Sequence, residues 1–534
     1  MGQMVGVLKA PLEKYSGSVS NLLGGRRKRK LVSGSDAELN DSNNSESQTP
    51  KKKKLLTTTQ YIYQALFKEQ KNSDISVMAQ GNIWHLHKVY LCQSPYFFSM
   101  FNGSWKESYQ DFVHIKNLDS KITLEALDAV FGSMYSDEIE IDPKAVISIL
   151  ATATLFQLDG IIEKCSEVMI ETTNASTAIS YYEASCQYGT INVKKSAFEW
   201  LETNLLCIYN KNTKLLKDIN IDLMTALISS PDLYVMQTEF SLYTLIRTWM
   251  YMRLFPNYDP ENCSAEEANA PQNYFSNRHD KNSFLETSEG NRFIKTFQAL
   301  RTEYLTNHHM DLKTVLADNI IPKEWLNSHV MNHWNSILKV DHLPEDGPRQ
   351  LDKDIFFNNC MRCGRILLEP GYQKWRWTGF NFGLDIILIV DSRVLSIRRH
   401  HRNEHERLLS LQTKRQFMIR VSVTSINSQR QRAFTQKSDI TSLSLEKNEE
   451  VTLMLLDTKL VHPLLISVNL LVVTPPTNQG FKENLLASDE TNQIPISEIG
   501  GANVILDAAT ILSDPSSSSS SSNSTSSSSS PSFV

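Results

Sequence analysis

One segment constrains the fold more than any other part of this 534-residue chain, and it runs from Asp74 to Ser108. It begins with an alternation of apolar and polar residues from Ile75 that reaches a turn at Gln80-Gly81-Asn82. A second short run of the same kind covers Ile83 to Leu86, and a helical stretch opens at His87-Lys88. Two alternating runs around a glycine-containing turn predict a β-hairpin, which here leads directly into helices.

The composition of the whole chain is ordinary for a soluble globular protein. Charged residues make up 21% and hydrophobic residues 41%, and the net charge of −5 gives no overall field that would attract nucleic acid. The seven cysteines are odd in number and mostly sit within apolar patterns, as reduced core thiols do. No apolar run approaches the ~20 residues of a membrane helix, and no secretory leader is evident. We therefore expect a soluble intracellular protein.

Changes of hydrophobic period along the chain predict a multidomain α+β protein with disordered arms. Helical stripes follow the hairpin, purely helical patterning continues from about residue 174, and strand alternation dominates the last third. Low-complexity serine fills the C-terminal end. The predicted division is a disordered arm with two basic runs (1–57), an α/β domain (58–172), a helical domain with a loop insertion near 256–290 (173–315), a connector (316–351), an antiparallel, sandwich-like β-rich domain (352–476) and a disordered serine-rich tail (477–534).

The residues of the hairpin segment resemble the start of a BTB/POZ domain. The matching positions are Asp74, His87-Lys88, Leu91, Ser94 and the Tyr-Phe-x-x-Met-Phe pattern at 96–101. The resemblance implies a module for dimerisation and docking that has no chemistry of its own. It further implies that a leading helix carrying Tyr61, Ile62 and Leu66 packs across a two-fold axis to form a homodimer.

Further segments resemble a BACK domain and, taken together, an insect member of the germ cell-less family of animals. The resemblance rests on the segments KKKKLLTTTQYIY, VFGSMYSDEIEI, DLYVMQTEFSLYTLIRTWM, CMRCGRILLEPGYQKWRWTGFNFG and HPLLISVNLLVV. The resemblance implies a non-catalytic substrate adaptor of a cullin-3 ubiquitin ligase, associated with the nuclear envelope and with germ-cell formation. The alternative is a nuclear-envelope co-repressor or lamina-tethering scaffold that uses its BTB domain only to dimerise.

Adaptors of this class carry a hydrophobic-x-Glu motif after the Met-Phe of the BTB domain, and its presence favours the adaptor. Here Trp105-Lys106-Glu107 follows Met100 and Phe101. A large ring can fill a partner pocket while a carboxylate meets a cation at the rim, so Met100, Phe101, Trp105 and Glu107 are the predicted cullin-binding residues. The alternative role for Trp105 is to cap the domain's own core.

The β-rich domain is the predicted site of protein-substrate capture. Trp375 and Trp377 offer aromatic anchors, and the basic stretch around Arg398, Arg399 and Arg402 offers guanidinium forks for an acidic or phosphorylated segment. The alternatives are that the tryptophans belong to the core and that the basic stretch is a solvated loop.

No catalytic motif is found, and no cofactor or metal is expected. Cys360 and Cys363 form a Cys-x-x-Cys pair that three histidines, His400, His401 and His405, could complete as a zinc site. Because no second cysteine pair exists, two reduced thiols beside a β domain are the preferred interpretation.

The N-terminal arm carries predicted localisation signals. Its two basic runs are typical of nuclear import, and they lack the interleaved aromatics that would favour direct nucleic-acid binding. Gly2 is a possible myristoylation site, although Gly6 stands where Ser or Thr is usual. These features predict a nuclear protein that meets nuclear-envelope proteins and contacts membrane at most peripherally. The basic residues are Arg26, Arg27, Lys28, Arg29, Lys30, Lys51, Lys52, Lys53 and Lys54.

Overall fold

A computed structural model describes residues 57–104, 106–116, 118–136, 139–259, 269–306, 308–339, 349–380, 384–400 and 414–473. Within these ranges the chain forms three units in sequence order: an α/β unit, a helical unit and a β-rich unit. The multidomain α+β class predicted from the sequence is confirmed.

The α/β unit is built around the predicted hairpin. In the turn, Gln80 and Gly81 have φ angles of 47° and 80°, and two successive positive φ values match the right-handed twist of the flanking strands. The first strand pairs antiparallel with the second and parallel with the third, so the strand order is β2-β1-β3. The elements are α1 (Thr58–Ile62), which continues as a π-helical turn (Tyr63–Lys68), β1 (Ile75–Ala79), β2 (Asn82–Leu86), α2 (Lys88–Leu91), α3 (Pro95–Asn102), a 3-10 turn (Lys106–Tyr109), β3 (Phe112–His114), α4 (Leu124–Ser133), α5 (Val146–Leu155) and α6 (Asp159–Glu171).

Local turns separate α4, α5 and α6. Asp142 Oδ1 accepts from the Lys144 amide in a turn of its own, and α5 begins at Val146. Gly160 lies in the first turn of α6. The chain reverses at Gln157, whose φ is 57°.

The helical unit packs around one continuous core. Leu242, Leu245, Ile246 and Trp249 recur at helical spacing in α10 (Glu239–Leu254), and all four are buried. The elements are α7 (Ala178–Tyr188), α8 (Ile191–Asn204), a π-helical turn (Leu205–Tyr209), α9 (Ile221–Ser229), α10 (Glu239–Leu254), α11 (Ala270–Ser276), α12 (Ile294–Gln298), α13 (His309–Asp318) and α14 (Lys323–Lys339), with 3-10 turns at Thr213–Asp218, Phe284–Glu286, Asn291–Phe293 and Thr302–Leu305.

Two segments predicted as peripheral belong to this core. Phe275 and Phe284, within the predicted loop insertion, are buried, and Ile321 and Leu326, within the predicted connector, are buried beside them. Each apolar group is short and flanked by polar residues, so it produces no helical period. The prediction of an exposed loop and a plain connector was therefore wrong for these parts.

The β-rich unit consists of two antiparallel sheets that share one core. The first has the order β10-β8-β12-β4, with β9 also paired to β8, and the second has the order β11-β7-β6-β5. Both sheets contribute alternate side chains to the core, for example Leu388 from β6 and Val468 from β12. The elements are α15 (Lys353–Asn359), β4 (Met361–Leu367), β5 (Gln373–Phe380), β6 (Leu384–Asp391), β7 (Val394–His400), β8 (Lys414–Ile426), β9 (Arg432–Lys437), β10 (Thr441–Glu446), β11 (Glu450–Leu455) and β12 (Leu464–Val472).

Candidate partner-docking surfaces

The predicted cullin-binding segment begins at the C-terminal end of α3. Met100 and Phe101 are half-buried and pack against the core of the α/β unit. The Phe101 ring lies 5.8 Å from the ring of Phe97, and the Lys88 ammonium lies 5.9 Å from its centroid. These contacts hold Phe101 in place and leave only part of each side chain available to a partner.

The chain after α3 is pinned back onto that helix. Ser108 Oγ lies 2.9 Å from the Met100 carbonyl and 2.7 Å from the Gly103 carbonyl, which fixes the 3-10 turn at the helix end. Glu107 lies in this turn, but its side chain and all of Trp105 fall outside the described part of the chain. Their role in cullin binding therefore stays a prediction.

Two exposed aromatic side chains flank the same segment and were not predicted from the sequence. Phe98 on α3 and Tyr109 at the end of the 3-10 turn both face solvent, and Tyr109 is 89% exposed. Exposed large rings are typical of protein-binding surfaces. They are additional candidates for partner contact, and no period or motif marks them in the sequence.

The predicted dimer-forming helix has one face fixed to its own domain. A Cβ at Gly132 of α4 would lie 2.9 Å from the Phe67 ring and 3.2 Å from that of Tyr63, so the two helices pack with no spare room. Ile62 and Leu66 are half-buried against the core, and Tyr61 is exposed. An apolar face thus remains on the surface, and its use in dimerisation stays a prediction.

The predicted substrate-binding residues do not form one surface. Trp377 is only 6% exposed and Arg399 only 1% exposed, whereas Trp375 and Arg398 are half-buried. Arg398 and Arg399 are successive residues of β7, so their side chains point to opposite faces of the sheet. Trp375 and Trp377 share one face of β5, and that face packs on the core of the unit. Trp377 and Arg399 are therefore corrected to interior positions. Arg402 lies outside the described residues.

The Arg399 side chain lies inside the β-rich unit and bonds to its backbone. Its Nη1 donates to the Leu445 carbonyl at 3.1 Å. Burial, together with the nearby charge of Arg415, lowers the pKa of Arg399 to about 10, and burial alone does the same for Arg415. Both guanidinium groups still carry a proton at neutral pH, so two positive charges lie inside this unit.

The two cysteines of the Cys-x-x-Cys pair are buried. Burial raises the pKa of both thiols, which keeps them protonated at neutral pH. The Cys363 thiol lies 3.6 Å from the Val468 carbonyl, and the Cys360 sulfur lies 3.4 Å from Asn469 Nδ2. No group of three or more potential metal ligands occurs among the residues that the structure describes. These environments are those of reduced core thiols.

A buried ion pair joins the helical and β-rich units, and sequence patterns gave no sign of it. Arg362 of β4 donates to both carboxylate oxygens of Glu239, at 2.7 and 3.0 Å, and both side chains are at most 1% exposed. The same guanidinium donates to the Ile228 and Ser230 carbonyls, at 2.7 and 3.0 Å. Every partner of Arg362 in this group belongs to the helical unit, so the pair fixes β4 against it.

The β8–β9 hairpin forms a second junction, which reaches all three units. Gln431 Nε2 lies 2.9 Å from the Ile170 carbonyl and 3.2 Å from that of Glu171, at the end of α6. Arg430 donates from Nε to Asn204 Oδ1 at 2.9 Å, and Asn204 Nδ2 donates back to the Arg430 carbonyl at 3.0 Å. The β-rich unit is therefore held in one orientation relative to the predicted docking segment.

The predicted localisation signals lie outside the described residues. They comprise Gly2 and both basic runs of the N-terminal arm. In the part of the chain that is described, no helix is both long enough and apolar enough to cross a bilayer.

Comparison with known proteins defines the class and then the family. A BTB/POZ domain model matches residues 63–173, which makes this a BTB-domain protein. The chain is 59% identical over 525 residues to protein germ cell-less of Drosophila melanogaster, covering 94% of this chain and 91% of that one. It is 38% identical over 433 residues to human germ cell-less protein-like 1, covering 80% and 83%. The chain belongs to the germ cell-less family, as the resemblance predicted.

A more distant similarity covers a smaller part of the chain. Kelch repeat and BTB domain-containing protein 8 of Danio rerio is 26% identical over 210 residues, which cover 39% of this chain and 32% of that protein.

Proposed function

We propose that this chain is a non-catalytic, homodimeric adaptor that brings a protein substrate to a cullin-3 ubiquitin ligase during germ-cell formation. Membership of the germ cell-less family supports the germ-cell role, and the BTB domain supports self-association and partner binding. The hydrophobic-x-Glu motif at Trp105 to Glu107 supports cullin as the partner.

The observation that carries the proposal is the fixed arrangement of the β-rich unit relative to the BTB domain. A tethering adaptor works by raising the effective concentration of substrate near the ligase, and that gain depends on geometry that allows both partners to bind at once. The Arg362–Glu239 pair fixes the β-rich unit against the helical unit, and the Gln431 contacts with α6 fix it against the BTB domain. The β-rich unit therefore lies at a set distance from the predicted cullin-binding segment. A fixed spacing of this kind suits an adaptor that holds two partners at once.

Co-purification with cullin-3 tests the proposal. Trp105→Ala combined with Glu107→Ala should abolish cullin-3 capture from cells while the protein remains a folded dimer, because the ring and the carboxylate are the proposed anchors. Tyr372→Ala removes an exposed ring from the β-rich unit and is the matched control, so it should leave capture unchanged. Undiminished cullin-3 capture by the double variant would mean that Trp105 and Glu107 do not anchor cullin-3.

Loss of the protein provides a second test, which separates an adaptor from a passive scaffold. If the chain delivers substrates to a ligase, specific proteins should accumulate when it is depleted, and a comparison of proteomes measures this. If a lamina-tethering scaffold is correct instead, proteins should change position without changing abundance.

We further propose that the protein is nuclear and concentrates at the envelope, directed by its two basic runs. Replacement of Arg26 to Lys30 and Lys51 to Lys54 by neutral residues should shift a fluorescently tagged chain to the cytoplasm. Nuclear import that persists in this variant would mean that a partner carries the protein in.

A further inference from the structure

A cavity of about 380 Å³ lies where the helical unit meets the start of the β-rich unit. Its walls come from the turn after α12, from α14 and from the C-terminal end of α15. A volume of this size accommodates a few side chains of a bound peptide. We call it the Arg301 cavity, and its polar lining includes Gln298, Arg301, Thr302, Glu303, His329 and Asn358.

Arg301 is the buried cation of this cavity. Its Nη2 donates to the Phe357 carbonyl at 2.5 Å, whereas its buried Nε has no hydrogen-bond partner among the described residues. Burial, and after it the charge of Arg362, lowers the pKa of Arg301. A buried guanidinium N–H without an acceptor is costly, and a carboxylate is the acceptor that matches a guanidinium fork best.

The other charged groups around the cavity do not cancel the preference of Arg301 for an anionic ligand. The buried carboxylate of Glu239 acts on Arg301 through its charge, but both of its oxygens already accept hydrogen bonds from Arg362. Glu303 also lines the cavity, but it is partly exposed, so water screens its charge more than that of Arg301. His329 Nε2 lies 2.9 Å from the Thr302 hydroxyl. The Arg301 part of the cavity lining therefore favours an anionic group.

An exposed apolar stripe on α14 lies beside the His329 wall of the cavity. Val330 and Trp334 are one helical turn apart and both face solvent, with Trp334 54% exposed. Met331 adds a third exposed apolar side chain. A large exposed apolar surface next to a polar pocket is typical of a protein-binding site. A free inorganic anion would use the pocket and leave the stripe uncovered.

We propose that the Arg301 cavity binds a protein segment that places an Asp or Glu side chain on Arg301 and an apolar side chain on the Val330–Trp334 stripe. We assign this segment to the substrate, an assignment that rests on the proposed adaptor function. The cavity is lined by residues of the helical unit and α15, and none of them is among the residues predicted earlier for substrate binding.

A random heptapeptide library displayed on phage, selected against the purified full-length chain, tests the site. Enriched peptides should share an acidic residue with an apolar neighbour. By fluorescence anisotropy, replacing that acid by its neutral amide should weaken binding about tenfold or more, because a charge-assisted pair is lost. Arg301→Gln, checked for folding by thermal melting, should weaken binding to a similar extent, and Trp334→Ala should weaken it as well.

Charge changes at the cavity rim avoid the risk that Arg301 variants fail to fold. Asn358 is exposed and lines the cavity. Asn358→Asp should weaken binding of the acidic peptide several-fold, and Asn358→Lys should strengthen it. The same two changes at Asn277, an exposed residue outside the cavity lining, are the matched control and should have little effect.

Three results would contradict the proposed site. They are no enrichment of peptides, enrichment of peptides without an acidic residue, or a peptide affinity that is unchanged in both Arg301→Gln and Asn358→Asp. Cullin-3 capture is measured separately and should survive Arg301→Gln. If acidic peptides bind but cullin-3 does not, the site stands and the adaptor function fails.

Discussion

The Arg362–Glu239 pair should be a principal determinant of how the helical and β-rich units stay together. Arg362→Met keeps an unbranched apolar stem but removes the guanidinium and its charge, leaving the Glu239 carboxylate in a position that is 0% exposed. Breaking a buried ion pair by removing one partner costs about 3–5 kcal/mol, since the remaining charge lacks both water and a partner. Glu239→Gln should be milder, because two backbone carbonyls still accept from the guanidinium.

The matched control is the double replacement Glu239→Leu with Arg362→Met. Apolar residues of similar volume remove both charges together, and such replacements are often neutral or stabilising. We therefore expect strong coupling between the two sites, in which the double variant is more stable than Arg362→Met alone. Non-additivity of this kind is expected for residues in direct contact.

Native-state hydrogen exchange at the Gln237 amide measures the effect where it arises. This amide donates across the junction to the Gly364 carbonyl at 3.1 Å, so its exchange reports separation of the two units. A loss of about 3–5 kcal/mol corresponds to exchange faster by roughly one hundred to several thousand times. Unchanged exchange in Arg362→Met, or simple additivity in the double variant, would refute the reasoning.

Three further predictions concern the β-rich unit. Gly364→Ala should loosen the same junction, because its Cβ would lie 2.8 Å from the Val235 carbonyl and 2.9 Å from that of Ile466; faster Gln237 exchange would show this, and wild-type exchange would contradict it. Trp377→Ala should lower the melting temperature, since it removes a buried ring at a cost of about 3–5 kcal/mol, whereas Trp375→Ala should cost less; equal losses would contradict the burial difference. Iodoacetamide at pH 7.5 should label the exposed Cys186 in the folded chain well before Cys360 or Cys363, whose raised pKa values and burial suppress the thiolate; equal labelling by mass spectrometry would contradict this.

Local patterns predicted those elements whose cause is local. The hairpin around Gly81 follows from alternation and turn chemistry, and the buried stripe on α10 follows from helical spacing. The alternation of Leu464, Ile466, Val468, Leu470 and Val472 corresponds to β12 in the same way. In each case the spacing of apolar residues in the sequence identifies the buried face of a single helix or strand.

Features that depend on distant partners could not be read in this way. Arg362 and Glu239 are 123 positions apart, and neither residue has a neighbour that marks it as buried. Arg399 looked like a surface cation because charged residues are rarely buried, yet it faces the interior of the sheet. The Arg301 cavity combines a turn, α14 and α15, so only the fold brings its residues together.

Direct binding of the purified chain to the N-terminal domain of cullin-3 tests the central claim. Size-exclusion chromatography with light scattering should detect one complex of two adaptor chains, each of 60.8 kDa, with two cullin domains. Trp105→Ala with Glu107→Ala should leave an adaptor dimer of unchanged mass that no longer binds cullin. An unmodified chain that elutes without cullin at concentrations of about 10 μM, well above the Kd of a specific interface, would contradict the account.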